Sequence, residues 1–162
     1  YANSRAVVFK CMGRHCGDLA QYTGICCGAE YIITSDTGLD KPRLLEDLKQ
    51  NRLAGRKHAI VVISEHLTDV YQLAKEVEDY SGYECRATIL GYIQRGGGPT
   101  ARERILASVF GAEAIGLLKE NKTNILVGLE KGRIKFTPFS EIPNLKKEFD
   151  VENYKLLQRL SI

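Results

Sequence analysis

AVVFKCMGRHCGDLAQYTGICCGAEYIIT, residues 6–34, decides the fold of this chain. AVVFKCM (6–12) is a short apolar run rich in β-branched residues, the pattern of a strand. From Cys16 to Ala29 apolar residues recur at helical spacing, with Leu19, Tyr22 and Cys26 on one face, and YIIT (31–34) returns to the strand pattern. The same alternation continues downstream. PRLLEDLKQNRLAG reads as a helix, with Pro42 in its first turn and Gly55 past its end. AIVVIS (59–64) reads as a strand, followed by a helix that Asp69 can cap and Gly82 can end. YECRATIL (83–90) is a fourth strand, followed by a glycine-rich loop and a long helix from Pro99 to about Lys119, with Ile105, Leu106, Val109 and Ile115 available for packing. Successive βα units require an α/β fold: a Rossmann-like three-layer sandwich, its sheet mostly parallel with helices on both faces. NILVGLE (124–130) and RIKFT (133–137), separated by Lys131-Gly132, predict a hairpin that makes the end of the sheet antiparallel. VENYKLLQRLSI (151–162) predicts a last amphipathic helix packed on the body.

The chain has 162 residues, 44% of them apolar, which suits a single lobe over residues 1–162. No apolar run approaches the roughly 20 residues of a membrane helix, and Arg5 and Lys10 interrupt the opening stretch, so neither a span nor a signal peptide is expected. The protein is read as cytoplasmic. A net charge of +3, without a block of like charges and with 8% aromatics, argues against nucleic acid as a partner. Cys11, Cys16, Cys26, Cys27 and Cys85 contain no C-x-x-C pair, so they are expected to be reduced and partly buried, a redox or metal role for Cys26-Cys27 being the alternative. The start at Tyr1 suggests a piece of something longer.

In open α/β sheets ligands bind beyond the carboxyl ends of the strands. The loops there hold Met12-Gly13-Arg14-His15, Glu65-His66, and Gln94-Arg95-Gly96-Gly97-Gly98-Pro99-Thr100. Two arginines and a carboxylate on one rim suit a ligand with both a phosphate and hydroxyls, because Arg binds oxyanions as a fork and Glu accepts from sugar OH groups. RGGGPT reads as an anion cradle at a helix N-terminus, or as a merely flexible turn. It lacks the Lys-Ser/Thr of a Walker loop, and the first turn lacks a dinucleotide fingerprint. His15, His58 and His66 do not have metal-ligand spacing. Arg56-Lys57-His58 lies before the third strand, on the opposite rim, as a solvated face or an effector site.

MGRHCGDLAQYTGICCGAE, KHAIVVISE and ECRATILGYIQRGGGPTARERILAS, in this order and spacing, resemble the C-terminal half of bacterial-type 6-phosphofructokinases from Arg5 to the Leu160-Ser161-Ile162 ending. The resemblance implies a glycolytic kinase, a transferase that phosphorylates fructose 6-phosphate to fructose 1,6-bisphosphate. It implies ATP or pyrophosphate as co-substrate, magnesium as cofactor, and an allosteric homotetramer. This lobe would supply the sugar-phosphate side of a site shared with an N-terminal nucleotide-binding lobe. Met12 and Gly13 match positions that pack on the sugar, and Arg14 the catalytic cation that bridges substrate and transferred phosphoryl group. Glu65 matches the carboxylate that holds sugar hydroxyls, and Arg95 a cation on the 6-phosphate. Arg5 and Arg86 match arginines that reach a neighbouring subunit's substrate. Gly28, Glu30, Arg56, Lys57 and His58 match an effector site for ADP and phosphoenolpyruvate, Glu30 at a position linked to magnesium.

Two departures bear on these roles. Tyr92 stands in the substrate loop where the bacterial pattern has histidine, and the GY form is similar to pyrophosphate-dependent branches. Ala54 replaces a common effector-site cation. The family's glycine-rich nucleotide site and GGDGS-type segment, whose Asp is the catalytic base, occur nowhere in these residues, so the chain alone is expected to bind poorly and to be inactive. Competing readings are a non-catalytic sugar-phosphate sensor or regulatory module, half of a pyrophosphate-dependent enzyme, and a periplasmic-type sugar-binding lobe, the last disfavoured by the absence of an export signal.

Overall fold

The computed structural model of the chain describes residues 4–145 and 151–160; Tyr1 and the Ser161-Ile162 ending lie outside the described residues. The β-branched runs form β1 (Arg5–Cys11), β2 (Tyr31–Ile33), β3 (His58–Ser64) and β4 (Glu84–Ile89), joined by α1 (Asp18–Cys27), α2 (Lys41–Leu53) and α3 (Val70–Ser81). The four strands make one parallel sheet in the order β2-β3-β1-β4. Side chains alternate across it as strand geometry dictates. Ala6 and Val8 of β1 and Val61 and Ile63 of β3 pack with Leu48, Leu73 and Val77 of α2 and α3. Cys11 and Val62 face the other way, toward Ala20, Ala29 and Ile32. Helices therefore cover both faces of this sheet.

Local chemistry sets the helix ends. Asp69 accepts from the N–H groups of Tyr71 and Gln72, and Gly82 at φ +75° closes α3 in the left-handed region. Asp40 caps α2 ahead of Pro42. α1 differs from the face predicted for it. Leu19 and Tyr22 are exposed, and the buried face is Ala20, Gln21 and Gly24. A Cβ at Gly24 would run into the Ile32 side chain, so the small face lets the helix lie close on the sheet.

The chain divides into two compact units, Tyr1–Arg95 with Phe149–Ile162, and Gly96–Glu148. The first holds the parallel sheet, α1 to α3, and α5 (Val151–Leu160), which lies against α1. The second holds α4 (Ala101–Lys119) and the antiparallel pair β5 (Ile125–Glu130) and β6 (Arg133–Pro138). The hairpin forms at Lys131-Gly132 as predicted, but as its own two-stranded sheet rather than as an extension of the parallel one. α4 buries none of its residues, and Ile105, Val109 and Ile115, expected in a core, are exposed.

Candidate functional site

β1 and β3 are neighbours, but the helices that follow them lie on opposite faces of the sheet, α1 on one and α3 on the other. This is the topological switch point, where the carboxyl ends of two strands part and leave a crevice. The last backbone rungs there are Glu65 N–H to Cys11 O at 2.9 Å, toward β3, and Leu90 N–H to Lys10 O at 3.1 Å, toward β4. In a parallel ladder the next donors of β1 are Gly13 toward β3 and Met12 toward β4. Side chains meet both. Glu65 Oε1 accepts from Gly13 N–H at 3.0 Å and from Arg14 N–H at 2.7 Å, and Gln94 Oε1 accepts from Met12 N–H at 2.8 Å.

These bonds hold an unusual backbone. Gly13 sits at φ +148°, and a Cβ there would run into the Cys16 carbonyl. Arg14 (φ +52°) and His66 (φ +69°) occupy the left-handed region, which costs non-glycine residues free energy and persists only where surroundings enforce it. The two N–H bonds draw the Glu65 carboxyl below the usual glutamate range, so it is an anion near neutral pH. His66 Nε2 lies 4.0 Å from Glu65 Oε2. One carboxylate oxygen is thus committed to the Gly13-Arg14 turn, while Glu65 retains its capacity to accept from a ligand hydroxyl.

Arg95 ends a short 3-10 helix, Gly91–Arg95, which starts from Gly91 at φ +51° and carries Gln94 back to β1. The Arg95 guanidinium lies 5.5 Å from the centre of the Tyr92 ring, a cation–π distance, and both side chains are exposed. Tyr92 thus braces this cation. RGGGPT leads into the N-terminus of α4. Thr100 and Glu103 form a capping box, with Glu103 Oε2 2.6 Å from Thr100 N, so this N-terminus already holds a carboxylate. Gly97 alone of the three loop glycines has positive φ, +97°.

Met12, Gly13, Arg14, Glu65 and the loop bearing Tyr92 and Arg95 thus share the carboxyl rim of the sheet. Arg5 and Arg86 do not join them. Both pair with Glu84 near the amino ends of β1 and β4, Arg5 at 3.5 Å and Arg86 at 2.9 Å. Arg56, Lys57 and His58 lead into β3 at that same opposite end. Glu30 Oε2 accepts from Ile60 N–H at 2.6 Å, the Arg56 carbonyl accepts from Tyr83 Oη at 2.9 Å, and Gly28 closes α1 at φ +67°. Burial pushes the neighbouring Tyr31 phenol up to about 12. Among the described residues no three His, Cys, Asp or Glu side chains are grouped to hold a metal ion. No cysteine among the described residues forms a disulfide; Cys11 is buried and Cys26 and Cys27 are exposed. Sequence reasoning missed the tie from Gln94 to Met12, whose only signal is a polar residue shortly after the glycine that ends β4.

The family model described as phosphofructokinase matches residues 1–118. An ATP-dependent 6-phosphofructokinase of Alkaliphilus metalliredigens is 42% identical over 99% of this chain and 50% of its own length. The enzyme of that name from Tolumonas auensis is 44% identical over 98% of the chain and 50% of its length. The chain spans about half the length of the curated relatives it matches. Among solved structures, phosphofructokinase from Saccharomyces cerevisiae superposes with a TM-score of 0.71 at 29% identity, over 97% of this chain and 21% of that one. Pichia pastoris phosphofructokinase in the T-state gives 0.72 at 25% identity, over 98% and 18%.

Proposed function

The chain belongs to the phosphofructokinase family, and on that premise we propose that its first unit carries the fructose 6-phosphate side of a 6-phosphofructokinase active site. The observation that supports this most is the hold on Met12, Gly13 and Arg14 by Gln94 and Glu65 at the switch point. It fixes a cation and a carboxylate on one rim, the pair that a sugar phosphate needs. In this reading the Glu65 carboxylate accepts hydrogen bonds from the sugar hydroxyls and orients the ring. Arg95 binds the 6-phosphate, with Tyr92 bracing it, and Met12 and Gly13 pack against the sugar. Arg14 sets its guanidinium against the charge that develops on the transferred phosphoryl group, where positioning and electrostatics carry most of the catalysis. Arg5 and Arg86, at the other end of the sheet, would serve a neighbouring subunit's site.

The relatives are ATP-dependent enzymes by name, which favours ATP over pyrophosphate as donor. ATP supplies the phosphoryl group, and its binding belongs to the half of the relatives that this chain does not match. The proposed assembly is a cytoplasmic homotetramer, with Gly28, Glu30, Arg56, Lys57 and His58 as its effector side. Titrating the chain calorimetrically with fructose 6-phosphate, with fructose as control, tests the reading. Weak but saturable heat that requires the phosphate is expected, and Arg95→Ala should weaken binding by about 2–3 kcal/mol, as loss of a charge-assisted contact does. Equal heats for both sugars, or an unchanged affinity in Arg95→Ala, would remove Arg95 from the site.

A further inference from the structure

We propose that Gln94 is a positioning residue of this site, its amide oxygen completing the edge of β1 so that the turn bearing Arg14 keeps its shape. The proposal rests on the substrate reading above. Gly91 turns the chain out of β4 one residue after Leu90 donates to Lys10, so β4 offers no further backbone acceptor in line. The next donor of β1 on that side, Met12 N–H, is partly buried, and leaving it unpaired would favour an opened turn. The Gly91–Arg95 helix returns the chain by one turn, and Gln94 Oε1 takes the vacant place at 2.8 Å. Since Met12 offers a hydrogen, the oxygen of the amide must face it.

Toward β3 the same task falls to a carboxylate, Glu65. Its anionic oxygens suit hydroxyl donors. Toward β4, beside Arg95, an amide supplies an acceptor without adding negative charge near a cation reserved for an anion. Both hydrogen bonds act on one segment in which Gly13 and Arg14 have positive φ, so loss of either tie frees a strained turn to relax.

The test replaces Gln94 in the full chain by methionine, of similar length with only a weak thioether acceptor in place of the amide oxygen, and by glutamate, which keeps a strong one. Residue-resolved amide exchange should show Met12 exchanging about tenfold faster in Gln94→Met, as expected for one net hydrogen bond. Val61 and Val62 should be unchanged, and Gln94→Glu should restore the Met12 protection. Affinity for fructose 6-phosphate should fall about tenfold in Gln94→Met. Unchanged Met12 exchange in Gln94→Met, or equally fast exchange in both variants, overturns the assignment, and so does lost protection with unaltered affinity. A wild-type chain with Met12 protected that binds neither sugar speaks against the substrate reading while the hold of Gln94 on the turn stands.

Discussion

Glu65 accepts from two backbone N–H groups, and the same bonds set its own ionisation. Its carboxyl is lowered first by the Gly13 N–H bond and then by the Arg14 N–H bond. A group lowered in the folded state stabilises that state above its ordinary value, and this contribution is lost as pH falls through the lowered value. The Gly13-Arg14 turn should therefore stay ordered on mild acidification and open only below about pH 4.3, the ordinary glutamate value. Following the Gly13 and Arg14 amide resonances through an acid titration checks this, and Glu65→Gln should abolish the transition. An opening centred above the ordinary value would contradict the lowered carboxyl. Arg14, Glu65 and Arg95 were legible as candidates because they follow strand patterns at the carboxyl rim. That Glu65 and Gln94 meet the N–H groups of β1 was not, since those bonds join residues 51, 52 and 82 positions apart.

At the scale of elements, caps were legible and faces less so. Asp69 and Gly82 end α3 where short-range rules put them, because a cap depends on atoms within a few residues. The buried face of α1 depends instead on what lies opposite. Sequence spacing favours Leu19 and Tyr22, but the sheet accepts the Ala20 and Gly24 side, with Ile32 filling the space beneath Gly24. Gly24→Ala should therefore destabilise the fold by about 1–3 kcal/mol, as overpacking does, although alanine favours a helix elsewhere. Urea unfolding measures it, and a neutral or stabilising result would mean that α1 can lift off the sheet at little cost.

At the scale of the whole molecule the two units differ in kind. The first buries a core on each side of its sheet, whereas the second is a helix with no buried residue and a two-stranded sheet, an arrangement that is marginal alone. Within it a cavity of about 490 Å³ lies among Ile105, Val109, Leu129 and Ile134. Ile115 and Leu118 are each more than half exposed, at 54% and 57%. The relatives carry as much sequence again as this chain matches. The purified chain should accordingly self-associate, and the double substitution Ile115→Glu with Leu118→Glu should shift it toward monomer. Sedimentation velocity across a range of concentrations decides; a wild-type chain that stays monomeric would show that these side chains need no cover. Periodicity, capping and turn residues act over a few positions, so the βα alternation, the parallel sheet, the hairpin turn and the rim that carries the candidate residues could all be read from the amino-acid order. The order β2-β3-β1-β4, the small face of α1, the separate hairpin sheet and the side-chain rungs from Glu65 and Gln94 emerge only once the chain is folded. Those depend on which distant segments pack together, and unpaired N–H groups and apolar surface then select the partners.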